Sequence, residues 1–257
     1  MTRTFIMKWN PEISNVSREQ MQKDIRRKGQ MEMRWSIYDW RCLGEEDRFF
    51  MLRCDNSEHA GIFMEGDLGD EPIEGLDWKG TGEKAYYAQL YIQMAIDSER
   101  MPILSTEVLE REMPDFDWRG GHSGVVLPPE YAGKLEMLWA EYVLEHQREF
   151  SKKNSNLLFS ISERYGQDSY NFPEALQEYI HEHYKGTCEL CGYDYQKLFG
   201  EDCPERVDYT YYYRGENYTK FKDVFHCVCE NCRRLIQDSK DFYDLLEERE
   251  QNKNYKL

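Results

Sequence analysis

Four cysteines near the C-terminal end constrain this chain more than any other feature. Cys188-Glu189-Leu190-Cys191 is one C-x2-C pair and Cys229-Glu230-Asn231-Cys232 is a second, with 37 residues between them. Two thiolates two residues apart grip one side of a metal ion from a tight turn. Two such pairs complete a tetrahedral shell, the closed ligand set of structural zinc. Gly192 suits the turn after the first pair, and Arg233-Arg234-Leu235-Ile236 opens a helix after the second. Four buried reduced thiols without a metal give no reason for the spacing to occur twice. Cys203 and Cys227 flank this framework as second-rank ligand candidates, while Cys42 and Cys54 lie in apolar surroundings and are expected in the core.

Eight cysteines arranged in this way fit a reducing cytoplasm better than a secreted disulfide scaffold. Met1 to Trp9 lacks the long apolar run of a signal peptide. No uninterrupted apolar run reaches the ~18 residues of a membrane span. A cytoplasmic protein with no membrane association is expected.

At 257 residues, 40% hydrophobic and 14% aromatic, the chain is long enough for two domains with real cores. Its formal net charge of −16 repels phosphate. That weighs against nonspecific nucleic-acid binding but leaves room for a local basic or aromatic site. Residues 181–257 are not basic either, with 12 Lys and Arg against 16 Asp and Glu.

The fold class expected is α+β: a small, mixed, barrel-like sheet domain with helices over 1–145, a polar linker over 146–170, and a helix with the zinc module over 171–257. Residues 4–9 read as an edge or first strand. Ser17 and Gln20 form a capping box for a helix ending near Lys28. Residues 47–54 and 61–66 read as a hairpin around Asp55-Asn56-Ser57-Glu58. Trp35 to Trp40 reads as a short mixed stretch, and 86–92 as a strand. Ser105 caps a short helix, and Pro128-Pro129 opens a long one with Tyr131, Leu135, Leu138, Trp139, Tyr142 and Val143 on one face. Pro173 starts a further helix stopped by Gly186. A hairpin strand lies within 206–213, and the final helix runs from Cys229 to about Glu250. Met51, Met64 and Met94 are expected in the core.

Two loops share a pattern of acid, Trp, base and glycine: Asp77-Trp78-Lys79-Gly80-Thr81-Gly82 and Asp117-Trp118-Arg119-Gly120-Gly121. Glycine lets a ligand approach the backbone closely. Trp78, Trp118 and Trp40 are candidates to stack on a planar ring, Lys79 and Arg119 to hold phosphate, and Asp77 or Asp117 to read the ring edge. His122 and Ser123 are further candidates to bind a phosphate or ligand. The alternative is that both loops are plain turns whose Trp side chains pin them to the core. No P-loop, G-x-S-x-G or strand–GxGxxG–helix pattern is present, so nucleotide hydrolysis, serine hydrolysis and dinucleotide binding have no support.

The cysteine module resembles the HNH endonucleases, whose zinc-binding fold is the treble clef. The resemblance rests on Cys188-Glu189-Leu190-Cys191-Gly192-Tyr193-Asp194, Leu198-Phe199-Gly200, Asp223-Val224 and Cys229-Glu230-Asn231-Cys232-Arg233-Arg234-Leu235-Ile236. The family's catalytic histidines are missing: Val207 to Tyr213 holds none, and Arg233 and Gln237 stand where later ones fall. The resemblance therefore implies a zinc-stabilised scaffold with weak or no nuclease chemistry. Asp208, His226 and Arg233 are the residues to inspect for catalysis, with Mg needed only if cutting occurs. The N-terminal part, through Gly44 to Phe50 and Gly61 to Gly66, more faintly resembles the PUA-like group, including the EVE domains that read modified bases in an aromatic pocket. Together the resemblances imply a protein of modification-dependent restriction type with modified DNA as partner. The alternative function is a non-catalytic, zinc-stabilised protein whose acidic surface meets a basic protein partner.

Overall fold

Phe5, Ile6 and Met7 are fully buried at consecutive positions. A strand shows that pattern when both of its faces are covered. These residues belong to β1 (Thr4–Trp9), which runs parallel to β3 (Arg48–Arg53) and antiparallel to β8 (Val125–Val126). Of the two readings, edge or first strand, β1 is the first strand and lies inside the sheet order. The computed structural model describes residues 2–27, 31–152, 156–157, 173–183, 187–200, 207, 209–211, 225–239 and 242–254. It divides into two units, Met1–Ser160 and Ile161–Leu257.

In the first unit the main path of strands is β2-β6-β4-β3-β1-β8, with β2 (Met31–Ser36), β4 (Gly61–Leu68) and β6 (Lys84–Ala95) completing it. β5 (Ile73–Leu76) and β9 (Asn156–Leu157) pair with β6, and β7 (Leu104–Ser105) pairs with β4. The sheet curls into a half-barrel. Irregularities at Met51/Leu52 and Glu65/Gly66 lie where the curling strands pair, and such bulges bend and twist a sheet locally. β2 is a strand that the sequence reading does not foresee, since only its Trp35 and Ser36 fall within the stretch read as mixed; Met31 and Trp35 are buried while Glu32 and Arg34 are exposed.

Helices cover this sheet. Ser17 accepts the Gln20 N–H at 3.2 Å and opens α1 (Arg18–Ile25), whose Met21 and Ile25 are buried. Ser105 caps α2 (Thr106–Glu112) in the same way. α3 (Pro129–Lys152) starts at the proline pair and continues past 145, so the polar stretch begins as helix. Trp139 of α3 meets Phe50 edge-on, with ring centroids 6.0 Å apart. Burying one such aromatic contributes roughly 1.5–3 kcal/mol. Arg48 ties α3 to the sheet, donating to Glu136 at 2.7 Å, Glu65 at 2.9 Å and Asp67 at 3.1 Å. Burial works against its charge, but the carboxylates of Glu136, Glu65 and Asp67 outweigh burial and raise its pKa above the ordinary value. Met51, Met64 and Met94 are core residues as expected. Cys42 is not: it is exposed, because the turn around Trp40 carries it to the surface.

The second unit holds α4 (Glu174–His183), α5 (Tyr195–Phe199), the antiparallel pair β10 (Tyr209–Tyr211) and β11 (Phe225–Cys227), then α6 (Glu230–Ser239) and α7 (Phe242–Asn254). The single final helix expected from Cys229 is two helices. The stop at Gly186 lies outside the described residues. Among the described residues, no helix is long and apolar enough to cross a membrane.

Candidate functional site

Strand pairing in the first unit draws distant stretches to one place. The N-terminal half of β6 pairs with β5 on one side, and its neighbour Tyr87 pairs with Ser36 at the end of β2 on the other. This sets the β5–β6 turn, Asp77 to Glu83, beside the segment that leaves β2. That segment is then pinned to the glycine loop: Tyr38 N–H donates to Ser123 O at 3.0 Å and Asp39 N–H to Gly124 O at 2.9 Å. Lys8 N–H, from β1, donates to Ser123 Oγ at 2.9 Å. The result is an open cavity of about 1010 Å³.

Six basic side chains line it (Lys8, Arg34, Arg41, Lys79, Lys84, Arg119) against three acidic ones (Asp39, Asp77, Glu83). The local sign of charge is therefore opposite to that of the whole chain. Lys84 is engaged with Glu74 at 2.8 Å and Arg119 with Glu110 at 2.7 Å. Among the described residues Arg34, Arg41 and Lys79 make no ion pair. Burial lowers the Lys8 pKa, partly offset by Asp117, and its ammonium donates to the carbonyls of Asp117 and Gly120. Cys54 forms part of the wall rather than the core, and burial pushes its thiol pKa up.

The lining is aromatic as well as basic. Trp40 stacks on Tyr86 with centroids 3.8 Å apart, and Tyr38 stacks on His122 at 4.1 Å. The Arg41 guanidinium lies over Trp40 at 4.3 Å, and the Lys79 ammonium over Trp78 at 5.4 Å. Ser123 Oγ accepts from Lys8 N–H and from Trp35 Nε1–H at 3.1 Å, so its own proton is left to donate.

Of the nine residues singled out in sequence, seven line this cavity: Trp40, Asp77, Trp78, Lys79, Arg119, His122 and Ser123. The other two do not. Trp118 is only 1% exposed and its indole N–H donates to Met113 O at 3.0 Å, so it is a core anchor with no face to offer a ring. Asp117 closes its own turn, accepting from Gly120 N–H at 2.7 Å and Arg119 N–H at 3.2 Å. Lys8, Arg34, Tyr38, Arg41, Tyr86 and Tyr87 were not foreseen. Reading Met31-Glu32-Met33-Arg34-Trp35-Ser36 as an alternating strand would have pointed to Arg34 and the segment after it.

In the second unit the Sγ atoms of Cys188, Cys191, Cys229 and Cys232 lie within 4.8 Å of one another, and those of Cys191 and Cys229 are 3.6 Å apart. These four residues could hold one metal ion. The first pair sits in a knuckle closed by Gly192 N–H to Cys188 O at 2.8 Å and Cys188 N–H to Tyr193 O at 2.7 Å. The second pair brackets the start of α6, where Arg233 N–H donates to Cys229 O at 2.9 Å. Burial and the neighbouring thiolate of Cys188 raise the Cys232 pKa. A cation among the sulfurs would remove that repulsion. Cys227 lies outside this group of four; its thiol donates to Val207 O at 3.4 Å. Cys203 and Asp208 lie outside the described residues. His226 Nδ1 is 2.8 Å from Glu189 Oε2, and the other Glu189 oxygen accepts Cys227 N–H at 2.9 Å. Arg233 pairs with Glu230 at 2.6 Å, across one helical turn.

Fold and site define an α+β protein with a basic aromatic cavity in one unit and a four-cysteine cluster in the other. No family model, curated protein or solved structure matches the chain.

Proposed function

We propose that this chain binds nucleic acid and reads a modified base in the cavity of its first unit, as a protein of modification-dependent restriction type. In this reading the first unit is PUA-like and the second is a zinc-bound treble clef of HNH kind, kept as a scaffold. One observation carries the proposal: six basic side chains and two aromatic stacks converge in one cavity of a chain whose net charge is −16. Such convergence has a use where a flat ring joined to phosphate must be held against the repulsion of the rest of the molecule.

The zinc reading is supported by spacing. Tetrahedral zinc with bonds of about 2.3 Å to sulfur sets its sulfurs about 3.8 Å apart, and the Cys191–Cys229 separation is 3.6 Å. The order of knuckle, hairpin and helix bearing the second pair suits a treble clef. Nuclease chemistry has little support: the His226 imidazole is engaged by Glu189 and the Arg233 guanidinium by Glu230. A second reading, an acidic protein that docks on a basic partner, is favoured by the net charge and by Leu198 and Phe199 of α5, 61% and 69% exposed.

The test is binding of the intact protein to short modified and unmodified DNA duplexes at low salt with Mg2+, the products being resolved on a gel. Preferential binding of one modified duplex with no cut product is expected. Absence of binding at low salt, where phosphate contacts are strongest, would overturn the nucleic-acid reading in favour of the protein partner.

A further inference from the structure

The stack on Trp40 has three layers. Tyr86 lies against the indole at 3.8 Å with the rings 17° from parallel, and the Arg41 guanidinium lies over it at 4.3 Å. Two groups this near one ring cannot share a face without overlapping, so the indole is sandwiched. Its two neighbours are held very differently. Tyr86 is half-buried within β6, paired to Glu74 of β5, and its carbonyl accepts the Ile37 N–H at 2.9 Å. Arg41 is exposed and, among the described residues, makes no ion pair. The backbone under Trp40 is fixed as well: Asp39 N–H donates to Gly124 O, and the Asp39 carboxylate accepts Val126 N–H at 2.8 Å.

We propose that the Arg41-covered face of Trp40 is the seat of the base, and that Arg41 is a movable cover which passes to the phosphate when the base arrives. This rests on the nucleic-acid reading above and names the platform within it. A planar guanidinium and a nucleobase have the same thickness, so the slot that Arg41 fills accepts one ring without moving Tyr86. Base stacking on an indole is stronger than a cation–π contact at an exposed site. The exchange therefore favours the base. The displaced guanidinium keeps its charge at the cavity rim, where the phosphate attached to a seated base must pass, and its fork matches phosphate oxygens. No covalent bond is made or broken.

Two probes separate the roles: a free methylated deoxycytidine nucleoside, and a short DNA duplex carrying one methylated cytosine. Arg41→Ala uncovers the ring and removes a phosphate contact. It is expected to bind the nucleoside several-fold tighter, and the duplex with a salt slope shallower by about 0.9. Arg41→Lys keeps the charge and loses the flat cover, so it should keep the wild-type slope while still gaining nucleoside affinity. Wild-type binding with Arg41→Ala unchanged for both probes, or weakened for both at an unchanged slope, overturns the cover and leaves the nucleic-acid reading standing. A wild-type chain that binds neither probe overturns that reading and this inference with it.

Discussion

Gly124 sets how closely the cavity's aromatic segment and its glycine loop approach. Its φ is +73°, where a side chain costs roughly 1–2 kcal/mol. A Cβ there would meet Ile37 Cα at 2.5 Å, and Ile37 is backbone that leads directly to Tyr38. Gly124→Ala should therefore lower stability by about 2–5 kcal/mol, the handedness cost plus an overpacking cost of about 1–3 kcal/mol. It should also weaken ligand binding, because Tyr38 and Asp39 hang on the Gly124 carbonyl. Gly80→Ala is the control: its φ is +75°, but no atom lies within 4 Å of its Cβ. Denaturant midpoints decide the matter, and equal losses in the two variants would sink the close-approach argument. The same residues show what the sequence could reveal of the site. Trp78 and Trp118 sit in one local pattern, yet Trp78 lines the cavity and Trp118 is buried under its bond to Met113. The pattern marks a turn; tertiary packing decides whether the ring faces ligand or core. Lys8 and Arg41 were illegible for a related reason: strand pairing brings Lys8 to the glycine loop, and the hydrogen bonds of Tyr38 and Asp39 bring the segment that carries Arg41 there.

Elements whose hydrophobic period is unbroken were legible. The β3–β4 hairpin, α1, α2 and α3 each carry a cap, turn or periodic face that acts within a few residues. β2 escaped because its side chains alternate only weakly around Met33, which is half-exposed. In the second unit, local signals marked the four clustered cysteines better than the helices, because the spacing of candidate metal ligands is a chemical constraint and a helix end is a packing one. Among the described residues of that unit, Leu176, Cys188, Val207, Cys227 and Val228 are the buried apolar ones. If the four clustered cysteines hold structural zinc, its binding is worth about 10–16 kcal/mol in zinc-finger peptides, enough to staple the unit. Stripping the metal with a strong chelator should abolish the melting transition of the second unit and leave that of the first unit in place, as read by scanning calorimetry with metal analysis. Cys188→Ser should do the same without chelator. A transition that survives with no bound metal would show that the cysteines are not the staple.

At the scale of the whole molecule, charge makes two opposite demands. A net charge of −16 strains the folded chain through self-repulsion, while the cavity gathers an excess of basic groups. The net charge was legible from composition; its local inversion was not, because the six basic residues come from five separate stretches of chain. Salt separates the two effects. Raising ionic strength from about 10 mM to 150 mM shortens the Debye length from about 30 Å to about 8 Å. That screens the repulsion between distant surface carboxylates, so the melting temperature of the free protein should rise. The same salt competes with phosphate contacts. If Arg34, Arg41 and Lys79, which make no ion pair among the described residues, each meet a phosphate, log affinity for a duplex should fall with log salt at a slope near −2.7, about −0.9 per contact. Thermal melts and binding titrations over one salt series should thus move in opposite directions. Affinity indifferent to salt would mean that the cavity's cations do not touch phosphate, and the ligand would then be sought among uncharged aromatic molecules.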